Sequence, residues 1–182
     1  MNECIFELFP ELNTERLLVR QITQNDDKSL LEVLSDEITC KYLTHNTVND
    51  ITNIKRLIMG MQRFFEEKQR IRWGIAIRDG NNIIGHCGFF EIDKNNYCAE
   101  ISYCLKSEFW SKGFMTEALN EILKFGFYNY GLNRIVAKAV KDNVGSIKTL
   151  ELSVKIIFAS IVGLIFPSNG KFAIGSKNVI EV

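Results

Sequence analysis

Net charge is the first thing that this chain lacks. Lysine and arginine together number 22, and aspartate and glutamate together also number 22. A chain without net charge has no built-in attraction for nucleic acid or anionic lipid, although a local charged patch stays compatible with this balance. We therefore expect that neither nucleic acid nor a membrane is a partner.

Metal ligands are also scarce. The chain has two histidines, His45 and His86, and five scattered cysteines, no two of which have zinc-finger spacing. We therefore expect no metal site. The N-terminus carries acidic residues and lacks the basic stretch that begins a secretory signal. These features predict a cytoplasmic protein with reduced cysteines.

Membrane-spanning runs and common nucleotide-binding motifs are absent as well. The apolar stretch from Ile156 to Phe166 is too short for a bilayer span, which needs about 20 apolar residues. No Gly-x-Gly-x-x-Gly follows a strand, and the chain has no P-loop lysine pattern. A nucleotide-binding domain that uses the loop at Gly113 is therefore a weak alternative.

What is present is the composition of an ordinary globular protein. Of the 182 residues, 46% are hydrophobic and 24% are charged, which argues against disorder and collagen-like repeats. This length is enough for one domain with a sizeable core. We expect residues 1–182 to form a single domain.

The stretch from Cys98 to Phe127 reads strand, loop, helix. Between Ala99 and Leu105, polar and apolar residues alternate, which predicts a strand. Lys106–Gly113 is short and polar. Apolar residues then recur at three-to-four spacing and predict one face of a helix: Ala118, Leu119, Ile122, Leu123 and Phe127.

The start of this predicted helix is a candidate anion site. The first turn of a helix presents free N–H groups and the positive end of the helix dipole, and phosphate is the usual ligand. Gly113 allows a tight turn or the close approach of a ligand. The alternative is that the glycine only forms a turn.

Three strings in this chain are informative together. The first runs from Leu12 to Arg20 (Leu-Asn-Thr-Glu-Arg-Leu-Leu-Val-Arg). The second joins Glu-Ile-Ser-Tyr-Cys-Leu, from Glu100, to Phe-Trp-Ser-Lys-Gly-Phe-Met-Thr-Glu-Ala, from Phe109. The third, from Asn143, reads Asn-Val-Gly-Ser-Ile-Lys-Thr-Leu-Glu. In this order and spacing they resemble the GNAT superfamily of N-acyltransferases, and more narrowly the branch that includes the ribosomal-protein N-terminal acetyltransferases.

This resemblance implies both a fold and a reaction. The implied GNAT fold is an α/β (α+β) arrangement, with a mixed, twisted sheet of six to seven strands between helices. The implied reaction is direct transfer of the acetyl group of acetyl-CoA, as co-substrate, to a primary amine of a protein N-terminus or a small molecule. Two early helices would flank the acceptor; the second is predicted over roughly Thr52–Glu67, capped by Thr52 or Asn53. A homodimer is compatible with the sequence.

The resemblance also implies which residues hold the coenzyme. The strand that carries Ile101 would splay from the next predicted strand, within Arg134–Val140, so that the pantetheine arm pairs with free backbone groups. Asn143 would help to hold this arm, and Ser146 would lie near the sulfur. The remaining implied coenzyme-binding residues are Ile101, Tyr103 and Leu105 on the strand and Lys112, Gly113, Phe114, Met115 and Thr116 at the pyrophosphate.

Three residues are candidates for the chemistry itself. Glu100 would act as the general base through water; the alternative is a solvated or paired strand residue. Ser146 would donate a proton to the departing thiolate, and Tyr103 is the alternative donor. A covalent mechanism through Cys104 is less favoured, because a cysteine on a strand is usually a small hydrophobic residue.

The sequence also departs from the family pattern. Ser102, Ser111 and Met115 replace smaller residues, and Met115 would narrow the space at the turn. Beyond about Leu152 the expected Gly-Phe is missing, so residues 152–182 are predicted to be atypical. We hypothesise a reading-frame shift or truncation there; a buried strand over Ile156–Phe166 is the alternative. A catalytically idle acyl-CoA-binding or regulatory module is therefore the second hypothesis for function.

Overall fold

The computed structural model describes residues 1–43, 47–161 and 173–175. The helices are α1 Asp27–Ser35, α2 Glu37–Cys40, α3 Ile51–Glu66, α4 Phe114–Lys124 and α5 Val144–Ile161. The strands are β1 Leu12–Asn13, β2 Leu17–Gln21, β3 Ile71–Ile77, β4 Ile83–Asp93, β5 Cys98–Leu105, β6 Arg134–Ala137 and β7 Ala173–Gly175. Within these residues, no helix has the length and apolar character needed to cross a membrane.

The strands form one mixed sheet in the order of the chain, β1 to β7. Neighbouring strands are antiparallel except β5 and β6, which are parallel. A parallel neighbour needs a crossover connection, and α4 with the π-helical turn Phe125–Tyr130 supplies it. The predicted mixed sheet of six to seven strands is therefore confirmed.

Helices cover both faces of the sheet. On one face, strand residues such as Trp73 and Ile101 pack with Leu119 of α4 and Leu150 of α5. On the other face, Cys104 packs with buried residues of α1 and α3. Cys104 and Ile101 belong to opposite faces because side chains alternate along a strand.

Several predicted elements differ in their ends. The α3 helix begins one residue earlier than predicted, because the Asp50 side chain accepts a hydrogen bond from the Thr52 N–H and caps it; the predicted caps Thr52 and Asn53 were wrong. The β6 strand stops at Ala137 rather than Val140.

Part of the region after Leu152 is described, namely residues 153–161 and 173–175. The α5 helix continues to Ile161, so a buried strand over Ile156–Phe166 is wrong for residues 156–161, and residues 162–166 lie outside the described part. The β7 strand pairs with β6 through Arg134↔Gly175 and Val136↔Ala173. One strand therefore follows β6 in the sheet.

A nearly buried ion pair links β2 to the start of α1. Arg20 donates two hydrogen bonds to Asp26, at 2.9 Å and 2.8 Å, and the Thr23 N–H donates to the same carboxylate at 2.7 Å. Burial acts to raise the pKa of Asp26, but these hydrogen bonds outweigh burial, so this pKa lies below its ordinary value.

We expect Asp26→Asn to lower the free energy of unfolding by about 2–4 kcal/mol, because it leaves a nearly buried guanidinium without its carboxylate. A carboxylate with a lowered pKa stabilises the fold above its unfolded pKa of about 3.9 and loses this effect as the pH falls through its folded pKa. Urea unfolding should therefore show a larger difference from wild type at pH 7 than at pH 3.

Asp27→Asn is the matched control. Asp27 stands next in sequence but pairs at 3.4 Å with Lys55, whose side chain is 53% exposed, so we expect a loss below about 1 kcal/mol. Equal losses for the two variants would contradict a special role of the Arg20–Asp26 pair.

Candidate active site

The site begins where two parallel strands stop pairing. The β5 and β6 strands are in register from Cys98↔Arg134 to Ile101↔Ala137, and no further pair follows. The β5 strand nevertheless continues to Leu105. Among the described residues, its edge from Ser102 onward therefore lacks a partner strand on the β6 side. Buried backbone groups need hydrogen-bond partners, so an extended ligand can pair there.

A loop with left-handed backbone leads from β5 into α4. Gly113 precedes the helix with φ of +80°, and Ser111 has φ of +58°. This conformation favours glycine over other residues. The loop directs the free N–H groups of the first turn, including those of Phe114, Met115 and Thr116, toward the loop opening. The predicted anion site thus has the backbone geometry that it needs.

Side chains around this loop leave it open. Met115 is buried in the core, so the expectation that it narrows the turn was wrong. Lys112 is exposed, and its Nζ lies 5.6 Å from the centre of the Phe109 ring. Ser111 and Gly113 are exposed as well, so a phosphate has access to the loop.

Arg16 holds this loop from the other end of the sequence. Its Nη1 donates to the Lys112 carbonyl at 3.0 Å, and its guanidinium lies 4.3 Å from the centre of the Phe114 ring. Any side chain at Gly113 would bring its Cβ within 3.4 Å of Arg16 Nη2. Arg16 and the loop therefore fit each other closely.

Glu117 fixes Arg16 in turn. Its carboxylate accepts hydrogen bonds from Arg16 Nε at 2.7 Å, from the Arg16 backbone N–H at 2.9 Å and from the Thr14 hydroxyl. Burial opposes ionisation of Glu117, but these hydrogen bonds prevail and keep its pKa below the ordinary value. We call Thr14, Arg16 and Glu117 the loop clamp. All three residues lie in the strings that begin at Leu12 and Phe109, but the family resemblance predicted no role for them.

The two candidate proton donors form one unit. The Tyr103 hydroxyl lies 2.7 Å from Ser146 Oγ and donates to the Ser146 carbonyl at 3.2 Å. Asn143 accepts a hydrogen bond from the Ser146 N–H at 3.1 Å and so caps α5. Burial raises the pKa of Tyr103, which keeps the phenol protonated at neutral pH. Tyr103 and Ser146, predicted as alternatives, therefore lie together.

Glu100 lies apart from this unit. It shares β5 with Tyr103 but faces the other side of the sheet, since the two stand three positions apart along the strand. Its Oε2 lies 2.5 Å from Lys138 Nζ, and 20% of its side chain is exposed. The hydrogen bond that Lys138 donates to Glu100 raises the pKa of Lys138. Glu100 is thus a paired strand residue in this structure. Lys138 occupies the carboxylate oxygen that would accept a proton if Glu100 acted as the base.

Cysteine chemistry fits this site poorly. Cys104 is buried, and burial, with a smaller effect of Cys40, raises its pKa to about 12. A thiol rather than a thiolate is therefore present at neutral pH, and the thiolate is the nucleophile. The less favoured covalent mechanism gains no support.

Residues 16–152 match the family model described as "Acetyltransferase (GNAT) domain". The chain belongs to the GNAT family of acetyltransferases. It is 34% identical over 143 residues to the uncharacterized N-acetyltransferase YoaA of Bacillus subtilis (strain 168), covering 79% of this chain and 81% of YoaA. It is 36% identical to the uncharacterized N-acetyltransferase p20 of Bacillus licheniformis, covering 76% and 78%.

Solved GNAT structures share the fold. RimL, the ribosomal L7/L12 α-N-protein acetyltransferase in complex with coenzyme A, superposes with a TM-score of 0.72 at 18% identity, covering 79% of this chain and 82% of RimL. The microcin C7 self immunity acetyltransferase MccE, in complex with acetyl-CoA and AMP, gives 0.70 at 22% identity, covering 77% and 78%. The predicted GNAT fold is thus confirmed, and acetyl-CoA is the co-substrate of the family.

We expect Glu117→Gln to raise KM for acetyl-CoA about tenfold, or about 1.4 kcal/mol, and to change kcat much less. The amide lacks the charge that holds Arg16 against the loop before α4, Ser111–Gly113, which we call the anion loop. The strand edge and the Tyr103–Ser146 pair stay in place. Initial rates over a range of acetyl-CoA concentrations separate the two constants.

Glu121→Gln controls for the loss of one carboxylate from α4. Glu121 lies one turn further along the helix and pairs with the exposed Lys124 at 2.6 Å, so we expect KM for acetyl-CoA to stay at the wild-type value. A fall in kcat alone, or the same KM in both variants, would argue against the loop clamp.

Proposed function

We propose that this GNAT acetyltransferase moves the acetyl group of acetyl-CoA directly to a primary amine, with Tyr103 and Ser146 as the proton donors. The observation that carries the proposal is the free edge of β5 beyond Ile101, which ends beside the Tyr103–Ser146 hydrogen bond. The edge would hold the pantetheine arm with the backbone of Ile101, Tyr103 and Leu105. The N–H groups from Lys112 to Thr116 would receive the pyrophosphate.

The proton balance assigns a role to each side of β5. The amine nitrogen forms a bond to the acetyl carbonyl carbon, and the carbon–sulfur bond breaks. The departing sulfur takes a proton from the Tyr103–Ser146 pair, which suits a phenol that burial keeps protonated. The proton lost by the amine passes, through water, to Glu100. Acceptor binding would first have to draw Lys138 away from Glu100.

The acceptor is a protein α-amine or a small amine. The structural neighbours include acetyltransferases of ribosomal proteins by name, among them RimL for L7/L12 and the S5-alanine acetyltransferase from Vibrio fischeri. Their identities of 18% and 19% support only a shared fold, so both acceptor classes belong in the first assay.

The atypical character of residues 152–182 stays a proposal, and the family match ends at residue 152.

We expect Tyr103→Phe and Ser146→Ala each to lower kcat about 10- to 100-fold, because each removes one hydroxyl from the proton-donating pair. Glu100→Gln should lower kcat by a similar factor. A panel of N-terminal peptides and small amines, with released thiol as the readout, measures these rates. Tyr97→Phe is the control, because Tyr97 is 43% exposed in the turn before β5.

The same samples separate an enzyme from an idle module. Acetyl-CoA at about 100 times its Kd should stabilise the fold by about 2.7 kcal/mol. A rise in the unfolding midpoint without turnover of any amine would favour the idle acyl-CoA-binding module. Turnover that survives in the Tyr103→Phe, Ser146→Ala double variant would overturn the proposed donors.

We expect the alkaline side of the pH profile of kcat to stay level up to about pH 10. The donating form of Tyr103 is the protonated phenol, and burial places its pKa above the ordinary value of 10.0. Raising the pH toward 10 therefore removes no donor, whereas it supplies more neutral amine. If kcat falls as the pH rises from 7 to 9, and Tyr103→Phe abolishes this fall, the raised pKa of Tyr103 is contradicted.

A further inference from the structure

Two arginines on the β3 side of the sheet lack the partners that the other arginines have. Arg70 precedes β3 and Arg72 lies within it; neither side chain donates a hydrogen bond to a described residue, and no described carboxylate lies within 4.0 Å of either. Each of the six other arginines donates a side-chain hydrogen bond to a described residue, pairs with a described carboxylate, or does both. Examples are Arg16 with Glu117, Arg20 with Asp26 and Arg63 with Glu67.

Aromatic rings hold these two arginines in place. The Arg70 guanidinium lies between two rings, 4.4 Å from the centre of Phe64 and 4.1 Å from the centre of Phe90. Arg72 lies 5.2 Å from the centre of the same Phe90 ring. Stacking fixes the plane of a guanidinium and leaves its N–H donors available at the edge. We call Phe64, Arg70, Arg72 and Phe90 the arginine–aromatic cluster.

The cluster places two positive charges close together in a partly buried position, which is electrostatically unfavourable. All four side chains are half-buried. Burial first, and then the nearby charge of Arg70, lower the pKa of Arg72. A desolvated cation beside a like charge is unfavourable unless an anion completes the arrangement. No described residue supplies that anion, so a ligand is the natural source.

The cluster lies on the proposed acceptor side of the sheet. Ile71 and Trp73 point into the core on the α4 face, so Arg72 between them points to the opposite face, which Glu100 and Ser102 also share. In the sheet, Arg72 pairs with Gly88, and Gly88 pairs with Ser102. Two strand spacings of about 4.8 Å put the Arg72 backbone about 10 Å from that of Ser102, where the free edge begins.

A glycine, Gly88, stands between the cluster and the free edge of β5. A Cβ at Gly88 would lie 2.2 Å from the Ile71 carbonyl oxygen, so this position excludes a side chain. Phe90 stands at the irregularity in β4 between Phe89 and Ile92, which faces the Glu100 region of β5. The row from Arg72 through Gly88 to Ser102 therefore has no side chain at its centre.

We propose that Arg70 and Arg72 bind an anionic group, a carboxylate or a phosphate, on the amine that this enzyme acetylates. This inference rests on the proposed function, because it takes the Glu100 face of β5 as the acceptor side. Paired guanidiniums bind such planar or tetrahedral oxyanions through several N–H donors. The acceptor class is thus an amine whose anion lies several bonds from its nitrogen.

Anion binding is tested first, because it needs no turnover. Thermal unfolding is followed with acetate or inorganic phosphate at constant ionic strength, in saturating CoA so that the anion loop at Gly113 is occupied. We expect a midpoint rise of about 2 °C or more for the wild type, and at most half of it for Arg70→Gln and Arg72→Gln. Acetate and phosphate separate a carboxylate site from a phosphate site.

Arg63→Gln is the matched control for this measurement. Arg63 also lies over Phe64, at 5.4 Å, but its side chain is 66% exposed and pairs with Glu67. It should keep the wild-type response to anions. An equal midpoint rise in all variants, or none in the wild type, would overturn the proposal. Arg72→Lys, which keeps the charge but loses the planar fork, should give an intermediate response.

Acceptor preference is tested second, with pairs of amines that differ in one anion. Glycylglycine is compared with glycylglycinamide, and 2-aminoethyl phosphate with 2-aminoethanol. For at least one pair we expect kcat/KM to favour the anionic member at least tenfold in the wild type and in Arg63→Gln. This ratio should fall to below threefold in Arg72→Gln. A ratio that Arg72→Gln leaves unchanged would contradict the proposal.

The two measurements also separate this inference from the proposed function. Failure to acetylate any amine would contradict the proposed function, and the anion-binding result would still decide whether Arg70 and Arg72 form an anion site. Acetylation of amines without any preference for an anionic member would support the proposed function and reject the inference. Circular dichroism of each variant confirms that the fold is kept.

Discussion

The end of pairing between β5 and β6 is the constraint on which the rest of the site depends. The two strands diverge after Ile101 and Ala137, while β4 pairs with β5 up to Leu105 and helices cover both faces. Backbone groups inside such a sheet must find partners, and among the described residues no strand pairs with this edge beyond Ile101, so an extended ligand can. The same strand then presents Tyr103 on one side of the opening and Glu100 on the other.

Pairs of charges far apart in sequence give this opening its surroundings. The loop clamp joins Arg16 to Glu117 across 101 residues, and Glu100 meets Lys138 on the next stretch of chain. A net charge of zero gives no sign of these ion pairs. It also gives no sign that Arg70 and Arg72 lie close together over Phe90. A balanced composition therefore decides little about what the enzyme binds, since binding follows the local charge.

Residue pattern predicted the parts of the fold that are local. The alternation in β5 and the three-to-four spacing in α4 were confirmed, because burial on one face imposes a period that the residues show. The ends of elements were harder: the cap of α3 is Asp50, and β6 stops at Ala137. Such ends depend on a single hydrogen bond or on where the chain leaves the sheet. The departure after Leu152 stays a prediction.

The sequence by itself determined the family and the order of the strands and helices, because motif order and periodicity are properties of the chain. Only the tertiary structure decided that Tyr103 and Ser146 share a hydrogen bond, that Met115 turns into the core, that Lys138 covers Glu100, and that Arg70 and Arg72 meet over Phe90. These facts depend on strand register and on the divergence of β5 from β6. Register couples residues that are distant along the chain, and no local pattern reports it.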